Sequence, residues 1–170
     1  NSFEKAKGFS AFSEIVNESK TRKSTATEVT VFLSHKHDEL EELKDAIALL
    51  KKFGVNIYID HNDEEMPKRT SGVTAEKLKK KIKENKKFIL LATEKAIASK
   101  WCNWELGFGD AKKYPKDIAI IPIADTTNSW PGNEYLQIYP YVTTDYNYLF
   151  IGYFVEFQGK KVRLEDWLKS

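Results

Sequence analysis

The apolar positions of the chain fall into two alternating periods. The run Val29-Thr30-Val31-Phe32-Leu33 is β-branched and apolar and stops at the polar Ser34-His35-Lys36-His37-Asp38, which predicts a strand buried on both faces. Leu40, Leu43, Ile47 and Leu50 then recur at three- and four-residue steps, with Asp38 placed to cap the start and Gly54 to follow the last turn, so an amphipathic helix is expected. The alternation repeats: Val55 to Ile59 predicts a second strand ending in Asp60, Asn62 to Gly72 a polar loop, and Val73, Leu78 and Ile82 a second helix. Phe88 to Ala92 predicts a third strand and Ile118 to Ala124 a fourth, with the segment Ser99-Lys100-Trp101-Cys102-Asn103-Trp104-Glu105-Leu106 between them.

Strands alternating with helices imply an α/β fold, a doubly wound parallel sheet with helices on both faces, because each right-handed crossover must bury its helix against the sheet. Beyond Pro140 the pattern changes. Tyr148 to Phe157 is aromatic and β-branched and leads to the turn Gln158-Gly159-Lys160-Lys161, which predicts one long strand or a hairpin, followed by a short terminal helix carrying Trp167 and Leu168. At the other end, Phe9, Phe12 and Val16 have helical spacing and precede the polar run Glu18 to Thr27, so residues 1–27 read as a helix and tether. Residues 28–170 read as one domain with a C-terminal β/α extension from about residue 146.

Composition narrows the function. Lys+Arg 27 against Asp+Glu 25 leaves a net charge of +2, too little for a dedicated nucleic-acid partner. The lysine-rich stretch Lys77 to Lys87 lies opposite Val73, Leu78 and Ile82 and reads as a solvated helix face. Cys102 is the one cysteine, so no internal disulfide is possible, and the set of three histidines and one cysteine does not compose a zinc centre. His35 and His37 are half of such a site with no second cluster to complete it, and no metal is expected. No apolar run approaches the ~20 residues of a bilayer span, and no signal peptide is recognisable, so a cytoplasmic protein without a membrane partner is expected. The absence of an initiator Met is read as the mark of a trimmed chain or of one unit of a longer protein.

Glu105 is the candidate for chemistry. A carboxylate among Trp101, Trp104 and Cys102 is costly to keep charged, whereas a helix-surface acid would gain only ~0.3–1 kcal/mol from the helix dipole. The two indoles can stack on a heteroaromatic ligand or pack into the core. No Gly-rich phosphate loop follows any predicted strand, and Ser34 with its neighbouring histidines cannot adopt triad geometry, because adjacent residues of an extended chain point apart.

Three segments together carry a resemblance: Phe32-Leu33-Ser34-His35-Lys36-His37-Asp38, Ile57-Tyr58-Ile59-Asp60, and Ser99-Lys100-Trp101-Cys102-Asn103-Trp104-Glu105-Leu106. They resemble a Toll/interleukin-1 receptor (TIR) domain over about residues 29–145, the third being similar to the catalytic segment of plant and bacterial members. The run-on Gly107-Phe108-Gly109-Asp110-Ala111 and the Ser-His loop resemble bacterial members, such as those of Thoeris antiphage defence. The resemblance implies a flavodoxin-like sheet of about five strands, self-association, and cleavage of the nicotinamide–ribose bond of NAD, with NAD as substrate and no cofactor. It implies that Glu105 is catalytic, that Lys36 lies near the substrate's pyrophosphate, and that Ser34, His35 and Asp60 bind ribose or nicotinamide at the same strand ends. Trp101 and Trp104 then shape the pocket. The product would be ADP-ribose or a cyclic variant acting on a separate effector. Two other functions share these features: a non-enzymatic TIR–TIR scaffold, and a nucleoside deoxyribosyltransferase-like enzyme. The loop 62–72 corresponds to the family's mobile loop, but its Asp63-Glu64-Glu65 run does not match a family motif.

Overall fold

The computed structural model describes residues 28–60, 71–124, 134–146 and 151–170. The expected N-terminal helix, and all of the loop 62–72 but Ser71 and Gly72, lie outside the described residues. Elements follow in the order β1 (Thr30–Ser34), α1 (Leu40–Lys51), β2 (Asn56–Tyr58), α2 (Gly72–Glu84), β3 (Lys87–Ala92), α3 (Glu94–Ala98), α4 (Lys100–Lys113), β4 (Ile118–Pro122), a 3-10 turn (Glu134–Ile138), β5 (Tyr141–Tyr146), β6 (Ile151–Phe157), β7 (Lys160–Arg163) and α5 (Leu164–Lys169).

The strands form one seven-stranded sheet in the order β2-β1-β3-β4-β5-β6-β7. The first five are parallel in the 2-1-3-4-5 order of flavodoxin-like sheets, and β6 and β7 add antiparallel. The five parallel strands and the antiparallel pair match the expected sheet of about five strands with a C-terminal β extension. The hydrophobic pattern does not mark β5, and the region expected to be one strand or a hairpin is the pair β6–β7. Its two-residue turn is Gln158-Gly159, with φ of 49° and 75°. Positive φ at both central positions suits the twist of a tight hairpin, and Lys160 and Lys161 already belong to β7.

Two cores flank the sheet, and strand parity assigns residues to them. Val31, Leu33, Ile89, Leu91 and Ile121 face α1 and α5, while Phe32, Phe88, Leu90 and Ile120 face α2, α3 and α4. β3 is buried along its whole length, as a central parallel strand covered on both sides must be. Phe32 stacks between Phe88 and Tyr58, with centroids 5.5 and 5.4 Å away, which ties β1, β2 and β3 together.

Helix starts differ in one respect from expectation. Asp38 does not cap α1: Glu39 holds the cap position without a side-chain cap bond, its carboxylate taken instead by the Thr93 hydroxyl, and Asp38 pairs with Lys95 at 3.7 Å. α2 begins with a reciprocal Ser71–Thr74 capping box. The lysine stretch is also not uniformly solvated. Lys87 begins β3, is fully buried, and reaches Asp117 at 2.6 Å, Ser170 at 3.1 Å and the Trp167 ring at 4.6 Å.

Candidate functional site

In the order 2-1-3-4-5 the chain leaves β1 outward to β2 and then returns past it to β3, so a crevice opens at the C-terminal ends of β1 and β3. Ser34 is the last residue of β1, and the pleat that sends Leu33 towards α1 sends Ser34 towards α4. There it meets Glu105. The buried stripe of α4 is Cys102, Glu105, Leu106 and Gly109, spaced for one helix face, so Glu105 occupies a place where an apolar residue would ordinarily pack. Gly109 brings the helix close: a Cβ there would lie 3.0 Å from the Phe88 ring. Ser34 is 1% and Glu105 5% exposed, and the Ser34 hydroxyl donates to Glu105 Oε2.

Burial pushes the Glu105 carboxyl from 4.5 to about 8; the charge of Asp60 raises it further, while the Ser34 hydrogen bond and the charge of His37 pull it down. A carboxyl in that state changes protonation around neutrality. His37 Nε2 lies 2.9 Å from Asp60 Oδ2, and this hydrogen bond raises the imidazole's proton affinity against the opposing effect of burial. His35 is buried, its Nδ1 3.2 Å from the Leu33 carbonyl and its ring 5.3 Å from that of His37. Lys36 is half-buried, and its carbonyl accepts from the Glu39 amide at 3.1 Å, which closes the turn from β1 into α1. Cys102 donates through Sγ to the His35 carbonyl at 3.4 Å, and burial raises its thiol to about 11, so it acts as a packed thiol and not as a nucleophile.

The fold therefore brings Ser34, His35, Asp60 and Glu105 to one edge. His37 joins them, a residue that the sequence marks only as half of an incomplete metal site. Asp60, from the end of the neighbouring strand, supplies the third donor: one ligand atom from each of His35, His37 and Asp60 lies within 4.8 Å of the others. What could have exposed this beforehand is pairing register, since parallel β1 and β2 end side by side.

The indoles divide. Trp101 stands one turn before Glu105 on the same helix face, and its ring meets Trp104 edge-on at 5.5 Å. Trp104 stacks on Phe108 at 6.2 Å, and Phe108 in turn carries Lys79, Lys83 and Lys112 within 6.0 Å of its centroid. Trp104 thus begins an aromatic ridge leading towards α2, whereas Trp101 meets that ridge edge-on at its Trp104 end. Asn103 is fixed separately, donating to the Ile97 and Ser99 carbonyls at 2.7 and 2.9 Å and accepting from Tyr135 at 2.5 Å.

The chain is similar to the probable 3′ cyclic ADP-D-ribose synthase ThsB′ of Bacillus cereus (strain MSX-D12), with 29% identity over 116 residues, 66% of this chain and 59% of that protein. It is also similar to TIR2 of Cytobacillus dafuensis, provisionally named a cyclic ADP-D-ribose synthase, with 29% identity over 98 residues, 56% of this chain and 25% of that protein. The chain thus matches 59% and 25% of the lengths of these two curated relatives, under two thirds of each. Among solved structures, the TIR domains of the activated Roq1 resistosome recognizing the effector XopQ align at 20% identity and a TM-score of 0.41, over 55% of this chain and 57% of that one. The family model for the TIR domain matches residues 31–149, a stretch running from β1 through β5 that includes Ser34, Asp60 and Glu105, and the chain belongs to the TIR domain family.

Proposed function

We propose that the protein cleaves the nicotinamide–ribose bond of NAD, with Glu105 as the catalytic carboxylate. The observation that carries this reading is a buried carboxyl held by Ser34 at the C-terminal edge of the sheet, in a place where helix packing alone would put an apolar side chain. The names of the two bacterial relatives support it.

The chemistry asks little of the protein. The pyridinium of NAD is cationic, and its approach favours the ionised form of Glu105. The C–N bond breaks with both electrons going to the ring, so nicotinamide departs neutral and no general acid is needed. Positive charge grows on the ribose carbon and its ring oxygen, and the Glu105 carboxylate stabilises it at close range in a low dielectric. Water then adds to that carbon and loses a proton, giving ADP-ribose; a nucleophile elsewhere in the same molecule gives a cyclic ADP-ribose instead. In this reading Ser34 positions the carboxylate, Asp60 and His35 bind ribose or nicotinamide, and Lys36 meets the pyrophosphate. In the same reading Trp101 and Trp104 shape the pocket for the substrate's rings. Self-association through TIR surfaces, a separate effector that reads the product, and a cytoplasmic setting belong to the same proposal. No helix among the described residues is long and apolar enough to cross a membrane.

The test is chromatographic. Wild type and Glu105→Gln are incubated at high protein concentration with NAD and, separately, with deoxynucleosides. Nicotinamide release that falls at least about a hundredfold in the variant is expected. Equal release from both proteins would overturn the assignment, sugar exchange between bases would move it to a deoxyribosyltransferase, and self-association without release would leave a scaffold.

A further inference from the structure

Beside the Ser34–Glu105 pair stand three donors that NAD cleavage does not require as a set. We infer that His35, His37 and Asp60 form a binding site for one divalent transition-metal ion of the zinc class, at the C-terminal edge of the sheet beside Glu105. Their ligand atoms lie within 4.8 Å of one another. They lie one to three residues beyond the ends of two adjacent parallel strands, which brings them to the same edge of the sheet.

The chemistry of the donors selects the ion. Two imidazoles and one carboxylate suit Zn²⁺ and its neighbours, while Mg²⁺ and Ca²⁺ favour oxygen donors throughout. His37 Nε2 and Asp60 Oδ2 are 2.9 Å apart, near the separation of about 3.3 Å between neighbouring ligands on a tetrahedral ion with bonds of about 2.0–2.1 Å. His35 Nδ1 is engaged with the Leu33 carbonyl at 3.2 Å, the backbone contact that fixes ring orientation and tautomer in histidine ligands. The same loop is held from outside, by Cys102 on the His35 carbonyl and by the Glu39 amide on the Lys36 carbonyl, so the ring needs little reorganisation to receive an ion. Three protein ligands leave a fourth position open for water or for an oxygen of a bound anion. An ion there would also reverse the field at Glu105, which now feels the negative charge of Asp60.

The site is tested with metal alone, without NAD. Chelator-stripped protein is titrated with Co²⁺, and equilibrium dialysis with Zn²⁺ runs in parallel. A visible d–d band saturating at one equivalent and erased by Zn²⁺ is expected. His37→Ala and Asp60→Asn, both at solvent-reachable positions, should each weaken binding by at least about tenfold while leaving the far-ultraviolet spectrum of the fold unchanged. A band that survives both substitutions, the absence of saturable binding below millimolar metal, or binding that is lost on replacing the chain's third histidine (His61→Ala) but intact in His37→Ala would each overturn the proposal. Nicotinamide release plays no part in these readouts, so their failure leaves the role of Glu105 untouched.

Discussion

Replacing Glu105 by Gln should make the protein more stable, by an amount that depends on pH. The carboxyl takes up its proton at about 8 in the folded protein against 4.5 for the free side chain. At 1.36 kcal/mol per tenfold change in proton affinity, that displacement is worth about 5 kcal/mol in full. Below pH 4.5 both folded and unfolded chains carry the proton and nothing is lost. As pH rises from 4.5 towards 8, the unfolded chain gives up its proton while the folded one keeps it, so stability falls throughout that window and levels off above it. The loss is about 1 kcal/mol at pH 5 and about 4 kcal/mol at pH 8. The Gln side chain has the same shape and no charge, so its own packing cost is the same at both pH values and drops out of the difference. Denaturant unfolding of both proteins at pH 5 and pH 8 should therefore show Glu105→Gln gaining about 3 kcal/mol more at the higher pH, or roughly 6–12 °C in Tm for a chain of this size. The charge of Glu105 is also one of the influences that raise the proton affinity of His37, and the variant loses that influence. Parallel stability curves for the two proteins between pH 5 and pH 8 would refute the claim that burial raises this carboxyl.

Other perturbations test neighbouring parts. Ser34→Ala removes the hydrogen bond that favours the ionised carboxyl, so it should lower NAD turnover by about tenfold to a hundredfold and move the alkaline-rising limb of the pH–rate profile upward; an unmoved limb would show that Ser34 only packs. Asp117→Ala leaves the buried Lys87 ammonium without its carboxylate and should cost about 3 kcal/mol by denaturant unfolding, whereas Lys87→Met combined with Asp117→Asn should come near neutrality. Gly109→Ala places a methyl 3.0 Å from Phe88, which is itself stacked on Phe32 and cannot yield, so a loss of about 1–3 kcal/mol and reduced nicotinamide release are expected together; a stabilised, fully active variant would show that α4 has room to retreat.

The parallel half of the sheet was legible because its strands are buried on both faces, and burial forces apolar runs such as Phe88 to Ala92 that stand out against any background. β5 was not, because Tyr141 to Tyr146 buries little beyond Val142 and touches β4 at a single register pair, Ile120 with Tyr141; its partner is β6, later in the chain. The Asp38 cap failed for a tertiary reason: Thr93, 54 residues beyond Glu39, captures the carboxylate next to it. Glu105 was visible as an acid in apolar company, and Ser34 as a residue at a strand end. Their direct bond, across 71 residues, depends on strand parity and on the close approach that Gly109 permits, neither of which is written in local composition. The union of Asp60 with His37 required knowing that β1 and β2 are neighbours.

The pleat of β1 makes folding and chemistry share one coordinate. Leu33 and Ser34 are consecutive, yet one seals the core beneath α1 and the other reaches the carboxyl beneath α4. A single-residue insertion in β1 would exchange the two faces, setting a leucine against Glu105 and a hydroxyl into oil. A two-residue insertion would restore the faces but carry Ser34 about 7 Å along the strand axis, out of reach of its partner. Length variation can therefore enter this part of the chain only downstream of the site, and the strand serves as a ruler whose graduation is one peptide unit.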